Sequence, residues 1–296
     1  FGGTPIFAKP QAVFFYINLP LLLFAPTIYA AIKWSILLHF IIAGIAMYSL
    51  MQYLSRNNLA SFVSAFVYTF NGYLVSRLNW GQTNIIYPYA WLPLILLFTF
   101  FAIEKKEWML NSILVGIFFS FLLLGGGAQL LSYFAIVYVY FLIIYLLTHF
   151  SKSNLLEFLI KYIRMGIIIG LVFFGLIAVF ILPNSDLMEI SVRSGGYTYE
   201  QSVGGRLQLV PFFKGLANPH IFKRPFSDWD SSGLGLVPLL FVIPSLFLFR
   251  KKKTLLFLLL TAVTISVFQG SFLYRIFWEL IPQFRQVKGI FKGYAL

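Results

Sequence analysis

Arg77 sits in a short polar turn, Arg77-Leu78-Asn79-Trp80-Gly81-Gln82-Thr83-Asn84, between two apolar runs. A guanidinium holds its donors in a planar fork that matches a phosphate bidentately. Asn79, Gln82 and Asn84 crowd the same turn and add hydrogen-bond capacity suited to a polar ligand. Two readings are open: an arginine snorkelling to lipid phosphates beside an interfacial Trp80, or a clamp on the phosphate of a lipid-linked substrate. A second group opens at Pro183, in Pro183-Asn184-Ser185-Asp186-Leu187-Met188-Glu189-Ile190-Ser191-Val192-Arg193. If helix continues past Pro183, Asp186 and Glu189 share a face and Arg193 lies one turn beyond. That pattern reads either as a solvated helix end with an ion pair or as a carboxylate and cation held at a membrane surface. Asp228-Trp229-Asp230 has the spacing of a DxD metal motif. Asp228 and Asp230 are thus the candidates for a divalent ion, Mg or Mn, against the plainer reading of an exposed acidic turn. His39, His149 and His220 are too scattered for a metal triad, and His39 is expected to donate a hydrogen bond inside a helix bundle. There is no Ser-His-Asp spacing, P-loop or dinucleotide fingerprint, and the absence of cysteine excludes disulfides and thiol catalysis.

The elements that must position these residues are apolar. Eight runs, roughly Trp34–Leu54, Leu59–Ser76, Ile85–Ile103, Met109–Leu124, Leu130–Thr148, Met165–Leu182, Leu234–Phe249 and Thr254–Gln269, contain no Asp, Glu, Lys or Arg. A span of the hydrocarbon core takes about 20 apolar residues, with shorter ones tolerated. The expected fold is therefore all-α: a polytopic transmembrane helical bundle of about eight spans. Ion-coupled machines keep ionisable groups near the midplane, so clean interiors push any chemistry to the membrane surface. The chain is 60% hydrophobic and 10% charged over 296 residues, and the simplest organisation is one membrane domain over 1–296. Within it, 1–33 reads as the tail of a first extracytoplasmic loop and 34–182 as six spans. An extracytoplasmic loop of 183–233 follows, then two spans over 234–270 and an interfacial segment over 271–296. Phe1-Gly2-Gly3-Thr4-Pro5 looks like mid-protein loop, so the chain is read as truncated at both ends.

Charge fixes an expected orientation. Arg250-Lys251-Lys252-Lys253 is assigned to the cytoplasm. Alternation then puts Arg56, Lys105, Lys106, Lys152, Lys161 and Arg164 on that side and the 77–84 and 125–129 turns outside. The net charge of +13 is read as topology and contact with anionic membrane lipids, with no nucleic-acid partner. Residues 1–33, apolar and broken by proline, and Ser271–Gln286 suit interfacial segments. The aromatics of 183–233 argue against disorder.

Several segments together resemble the YfhO-like bacterial membrane protein family, within the GT-C class of membrane glycosyltransferases. They are Phe1-Gly2-Gly3-Thr4-Pro5-Ile6-Phe7-Ala8 with Pro10-Gln11, Asn71-Gly72 with Arg77-Leu78-Asn79-Trp80-Gly81, and Ala90-Trp91-Leu92-Pro93. Further along come Gly127-Ala128-Gln129-Leu130-Leu131-Ser132-Tyr133, Leu182-Pro183 with Ser191-Val192-Arg193, and Leu273-Tyr274-Arg275 with Pro282-Gln283-Phe284. The resemblance implies an enzyme of the bacterial cytoplasmic membrane. It would take a sugar from a polyprenyl-phosphate donor on the extracytoplasmic face and pass it to an envelope glycopolymer or lipid acceptor. It also implies a catalytic carboxylate in the first outer loop; residues 1–33 contain no Asp or Glu, so the main base is expected upstream of Phe1. Asp186 then becomes a supporting residue that orients Arg193 or the acceptor. The substrate-binding candidates are Arg77, Asn79, Gln82 and Arg193, with Gln11, Gln129 and Glu189 beside them. The rival readings are a lipid-linked-sugar flippase, which should carry cations inside its spans, and an envelope assembly scaffold.

Overall fold

A computed structural model describes residues 8–9, 12–13, 15–149, 155–189, 195–204, 252–281 and 284–285. Among them the chain is helical and no strand forms. The helices are α1 (Leu19–Phe24), α2 (Ile28–Ser55), α3 (Asn58–Thr69), α4 (Gly72–Asn79), α5 (Thr83–Tyr89) and α6 (Leu92–Glu104). They continue as α7 (Trp108–Leu124), α8 (Ala128–His149), α9 (Leu155–Glu189), α10 (Tyr199–Ser202), α11 (Lys252–Phe268) and α12 (Phe272–Leu280). Five stretches are long and apolar enough to cross a membrane: Ile28–Ser55, Asn58–Asn79, Thr83–Glu104, Ala128–His149 and Leu156–Leu187. A sixth results if α11 and α12, bent by 69°, are one broken span. The expected run 109–124 forms the 17-residue α7, shorter than a full span, and the expected span 234–249 lies outside the described residues.

The chain divides into two compact units. The first comprises 1–70, 77–131 and 152–189; the second comprises 71–76, 132–151 and 190–296.

In the first unit α2 packs on α3, α5 and α6, while α7 packs on α5, α6 and α9. The first span starts earlier than the charge-free run, at Ile28, because Thr27 caps it: its hydroxyl accepts from the Ala30 amide at 3.1 Å. Lys33 is simply an exposed residue of that helix. Asn57 caps α3 in the same way, from Ala60 N at 2.9 Å. The third span is interrupted between α5 and α6 for a chemical reason. Pro93 has no N–H to give the Tyr89 carbonyl four residues back. The Tyr68 hydroxyl donates to that carbonyl instead, at 2.8 Å, with the two rings stacked at 4.5 Å. Non-helical backbone at membrane depth survives only where protein satisfies it in this way.

The polar side chains of α6 and α7 are satisfied locally. Thr99, Ser112 and Ser120 donate to the carbonyls of Ile95, Trp108 and Gly116 in their own helices, at 2.6, 2.7 and 2.9 Å. Gly127 is fixed by close approach: a Cβ there would lie 2.5 Å from the Pro88 ring. It lets the α7–α8 turn lie against α5.

Contacts within this unit sort its turns to two ends. The Tyr53 hydroxyl donates to the Glu104 carboxylate, and Lys161 Nζ donates to the Ile103 carbonyl at 2.5 Å. The C-terminal ends of α2 and α6 and the early turns of α9 therefore share one level. They carry Arg56, Lys105, Lys106, Lys161 and Arg164. At the other end lie the 77–84 turn, the 125–127 turn and the last turns of α9. There Asn184 Nδ2 donates to the carbonyl of the buried Ala8 at 2.7 Å.

In the second unit the 195–204 segment folds against the bend between α11 and α12. Thr198 and Gln201 form a capping box at the start of α10. The Tyr199 hydroxyl donates to the Gly270 carbonyl at 2.9 Å, and Trp278 Nε1 donates to Ser202 Oγ at 3.2 Å. Burial pushes the Tyr199 hydroxyl above the ordinary phenol value, with Arg275 pulling the other way. Part of the expected long loop is thus ordered. The expected amphipathic segment after Ser271 is α12, with Tyr274 buried and the exposed pair Arg275–Glu279 at 2.7 Å on its other face.

Candidate functional site

The site is built at the Arg77 end of the first unit. α4 ends at Asn79, and Gly81, with φ +65°, turns the chain back into α5. Gln82 N returns to the Arg77 carbonyl at 2.9 Å, closing the turn over the side chain that follows from it. Arg77 Nη1 donates to Gln82 Oε1 at 2.8 Å. Arg77 is only 3% exposed, whereas Leu78, Asn79 and Trp80 are exposed. A snorkelling arginine extends its head away from the protein toward lipid phosphates; this one points its head inward. A buried guanidinium costs several kcal/mol of desolvation unless hydrogen bonds hold it, and the Gln82 amide supplies one.

Next to that pair a polar chain runs inward. Tyr87 lies close to Ser35 and to Thr83, the residue after Gln82. Ser35 and His39 are on one face of α2, and the Ser35 carbonyl lies 2.6 Å from His39 Nδ1. His39 Nε2 lies 2.7 Å from the Tyr16 hydroxyl, which also receives Trp91 Nε1 at 2.5 Å. The protons follow from the partners. A carbonyl can only accept, so Nδ1 carries the hydrogen and Nε2 accepts from Tyr16. The Tyr16 oxygen then accepts from Trp91. Burial holds the Tyr16 hydroxyl well above the ordinary phenol value, opposed by the Trp91 bond, so it keeps its proton as this direction requires. His39 and Tyr87 rings lie 4.4 Å apart, and Tyr16 stacks on both His39 and Tyr87, at 5.4 and 6.0 Å.

Beside this chain an apolar groove of about 730 Å³ runs between α2 and α3. Ile36, Phe40, Gly44, Phe66 and Phe70 line it, with Lys33 and Leu78, the neighbour of Arg77, at one end. Its axis follows α2 from Lys33 to Tyr48, about 22 Å at 1.5 Å per residue. The groove can take a long hydrocarbon chain whose polar end meets Lys33 and the 77–84 turn.

The other expected site residues fall as follows. Asn79 is exposed and Gln82 half-buried, both in the Arg77 turn. Gln129 is exposed on the first turn of α8. Helix does continue past Pro183, to Glu189, and Asp186 is exposed near its end. Gln11, Arg193, Asp228, Asp230 and His220 lie outside the described residues, and nothing is described of the Glu189 side chain. No group of three His, Asp or Glu that could hold a metal occurs among the described residues. Tyr16, Tyr87 and Trp91 were not among the sequence-based candidates. The signal for them was His39: a histidine inside an apolar run needs a partner, and nearby tyrosines and tryptophan are the side chains that provide one without charge.

No family model, curated protein or solved structure matches the chain.

Proposed function

We propose that this chain acts as a YfhO-like, GT-C-class glycosyltransferase of the bacterial cytoplasmic membrane. It spans the membrane about eight times, with 234–249 as one of the spans. Its Arg77 end faces outward, and its acceptor is an envelope glycopolymer or lipid. The donor is a sugar on a polyprenyl phosphate.

The observation that carries this reading is the buried Arg77 at the end of a span, whose neighbour Leu78 lines an apolar groove. In the reaction the bond between the sugar C1 and the phosphate oxygen breaks, and the acceptor oxygen bonds to C1. The electron pair of the broken bond stays on the polyprenyl phosphate, and the acceptor proton passes to a carboxylate base. The departing phosphate gains negative charge in the transition state, and a preorganised guanidinium stabilises that charge most where water is excluded. Gln82 Oε1 occupies an acceptor position that a phosphate oxygen can take by displacing it. The lipid tail lies along the groove between α2 and α3, with Lys33 beside the head group. Asp186, at the outward end of α9 in this orientation, supports the acceptor. Asn79, Gln82 and Gln129 offer amides on the same side. A flippase would need cations along an inner path; in the described spans the charged residues cluster at the ends.

Native mass spectrometry of the full-length protein with undecaprenyl phosphate and with undecaprenol tests the reading. The phosphate should be retained over the alcohol, and Arg77→Lys, which keeps charge but loses the fork, should weaken retention by roughly tenfold. Equal retention of phosphate and alcohol by the unaltered protein would overturn it.

A further inference from the structure

The opposite end of the first unit carries a second site. The turn 105–108 and the early turns of α9 enclose a pocket of about 590 Å³. Lys105, Lys106, Lys161 and Arg164 line it, with Glu157 as its one carboxylate. The cations come in two pairs. Lys105 and Lys106 are neighbours on the turn; Lys161 and Arg164 are three residues apart, on one face of α9. Lys161 Nζ donates to the Ile103 carbonyl, and Lys105 Nζ lies 3.4 Å from the Phe101 ring centre. Trp108, Leu156 and Ile160 form the apolar part of the wall. α7 opens into the same place: Trp108 is its first residue, and the Glu107 side chain makes no cap bond to it. The first amides of α7 add donors to the lysines around the pocket.

We propose that this pocket binds an anionic phospholipid with two phosphodiesters, of the cardiolipin type. Two pairs of cations match two phosphates joined by a short bridge. The apolar wall takes the glycerol carbons and the start of the acyl chains, and Trp108 sits at the depth of the ester groups. Basic pockets between membrane helices recognise anionic head groups, each cation adding on the order of 1 kcal/mol near the surface. A one-phosphate lipid leaves one pair unmatched. The proposal is independent of the sugar-transfer reading, since it concerns the other end of the unit.

Native mass spectrometry of the full-length protein with tetraoleoyl cardiolipin, dioleoyl phosphatidylglycerol and dioleoyl phosphatidylcholine tests it. Cardiolipin should be retained roughly tenfold better than phosphatidylglycerol, and phosphatidylcholine not at all. Lys106→Gln with Arg164→Gln removes one cation from each pair and should erase the preference for cardiolipin. Lys106→Gln alone, at an exposed position, should reduce it. Arg56→Asn, at the same end but outside the pocket, should leave it intact. Equal retention of cardiolipin and phosphatidylglycerol by the unaltered protein would overturn the proposal. So would an unchanged preference in the double variant, or the same loss in Arg56→Asn.

Discussion

The two ends of the first unit treat cations in opposite ways. Around the turns at 56–57 and 105–107, Arg56, Lys105 and Lys106 are exposed and make few demands on the fold. At the 77–84 turn a single arginine is folded inward and bonded to Gln82. Exposed cations cost little, and their value lies in orienting the chain and meeting anionic lipid. A buried cation loses its hydration and persists only in a matched polar setting. The hydrogen-bonded chain from Ser35 through His39 and Tyr16 to Trp91 is the polar network further into the unit. In the proposed reading, one end serves topology and lipid contact and the other holds a specific anion.

Mutations should separate the ends by the size of their effect. The largest is expected at Tyr16. Tyr16→Phe leaves His39 Nε2 and Trp91 Nε1 without partners inside the protein. Each unsatisfied buried group costs about 1–3 kcal/mol, so thermal unfolding should show a loss on the order of 3 kcal/mol and Trp91 fluorescence should change. An unchanged melt would mean that the chain contributes nothing to packing at that end. Next is Arg77→Met, which leaves Gln82 Oε1 unpaired but also removes a desolvated charge. A net loss of about 1–2 kcal/mol is expected in the same assay, and a gain in stability would mark Arg77 as kept for binding rather than folding. Smaller again is Tyr68→Phe, which removes the hydrogen bond to the Tyr89 carbonyl at the Pro93 break, at about 1 kcal/mol. At the basic end, Lys105→Gln and Lys106→Gln should leave the unfolding midpoint unmoved, as expected for surface positions. A large effect there would erase the contrast between the ends.

Much of the helical plan is legible in the sequence because a charge-free run of the right length has few alternatives. The runs beginning at Trp34, Leu59, Ile85, Leu130 and Met165 all lie inside long helices. The caps at Thr27, Asn57 and Ser271 are local, each accepting from an amide two or three residues on. The interruption at Tyr89–Leu92 was not, although Pro93 is visible, because hydropathy averages across a break of two residues. Whether Pro93 opens a helix or only bends one depends on Tyr68, 25 positions away in the sequence. The Arg77 turn was legible as a polar site, yet its decisive feature, the inward guanidinium, depends on how Gly81 aims Gln82 back at it. Tyr16 was hidden for a similar reason. It lies in a proline-broken segment that reads as interfacial, and only tertiary packing carries its ring to His39 and Trp91.

The account rests most heavily on the two ends facing opposite compartments, with the Arg77 turn outward. The chain has no cysteine, so single introduced thiols report without background. Trp80→Cys and Lys106→Cys are both exposed positions, one at each end. With a membrane-impermeant maleimide on intact cells, Trp80→Cys should be labelled, and Lys106→Cys should be labelled only after the membrane is permeabilised. Labelling of Lys106→Cys in intact cells, with Trp80→Cys protected, would contradict the orientation and remove the proposed donor-binding site from the compartment where the proposed transfer occurs.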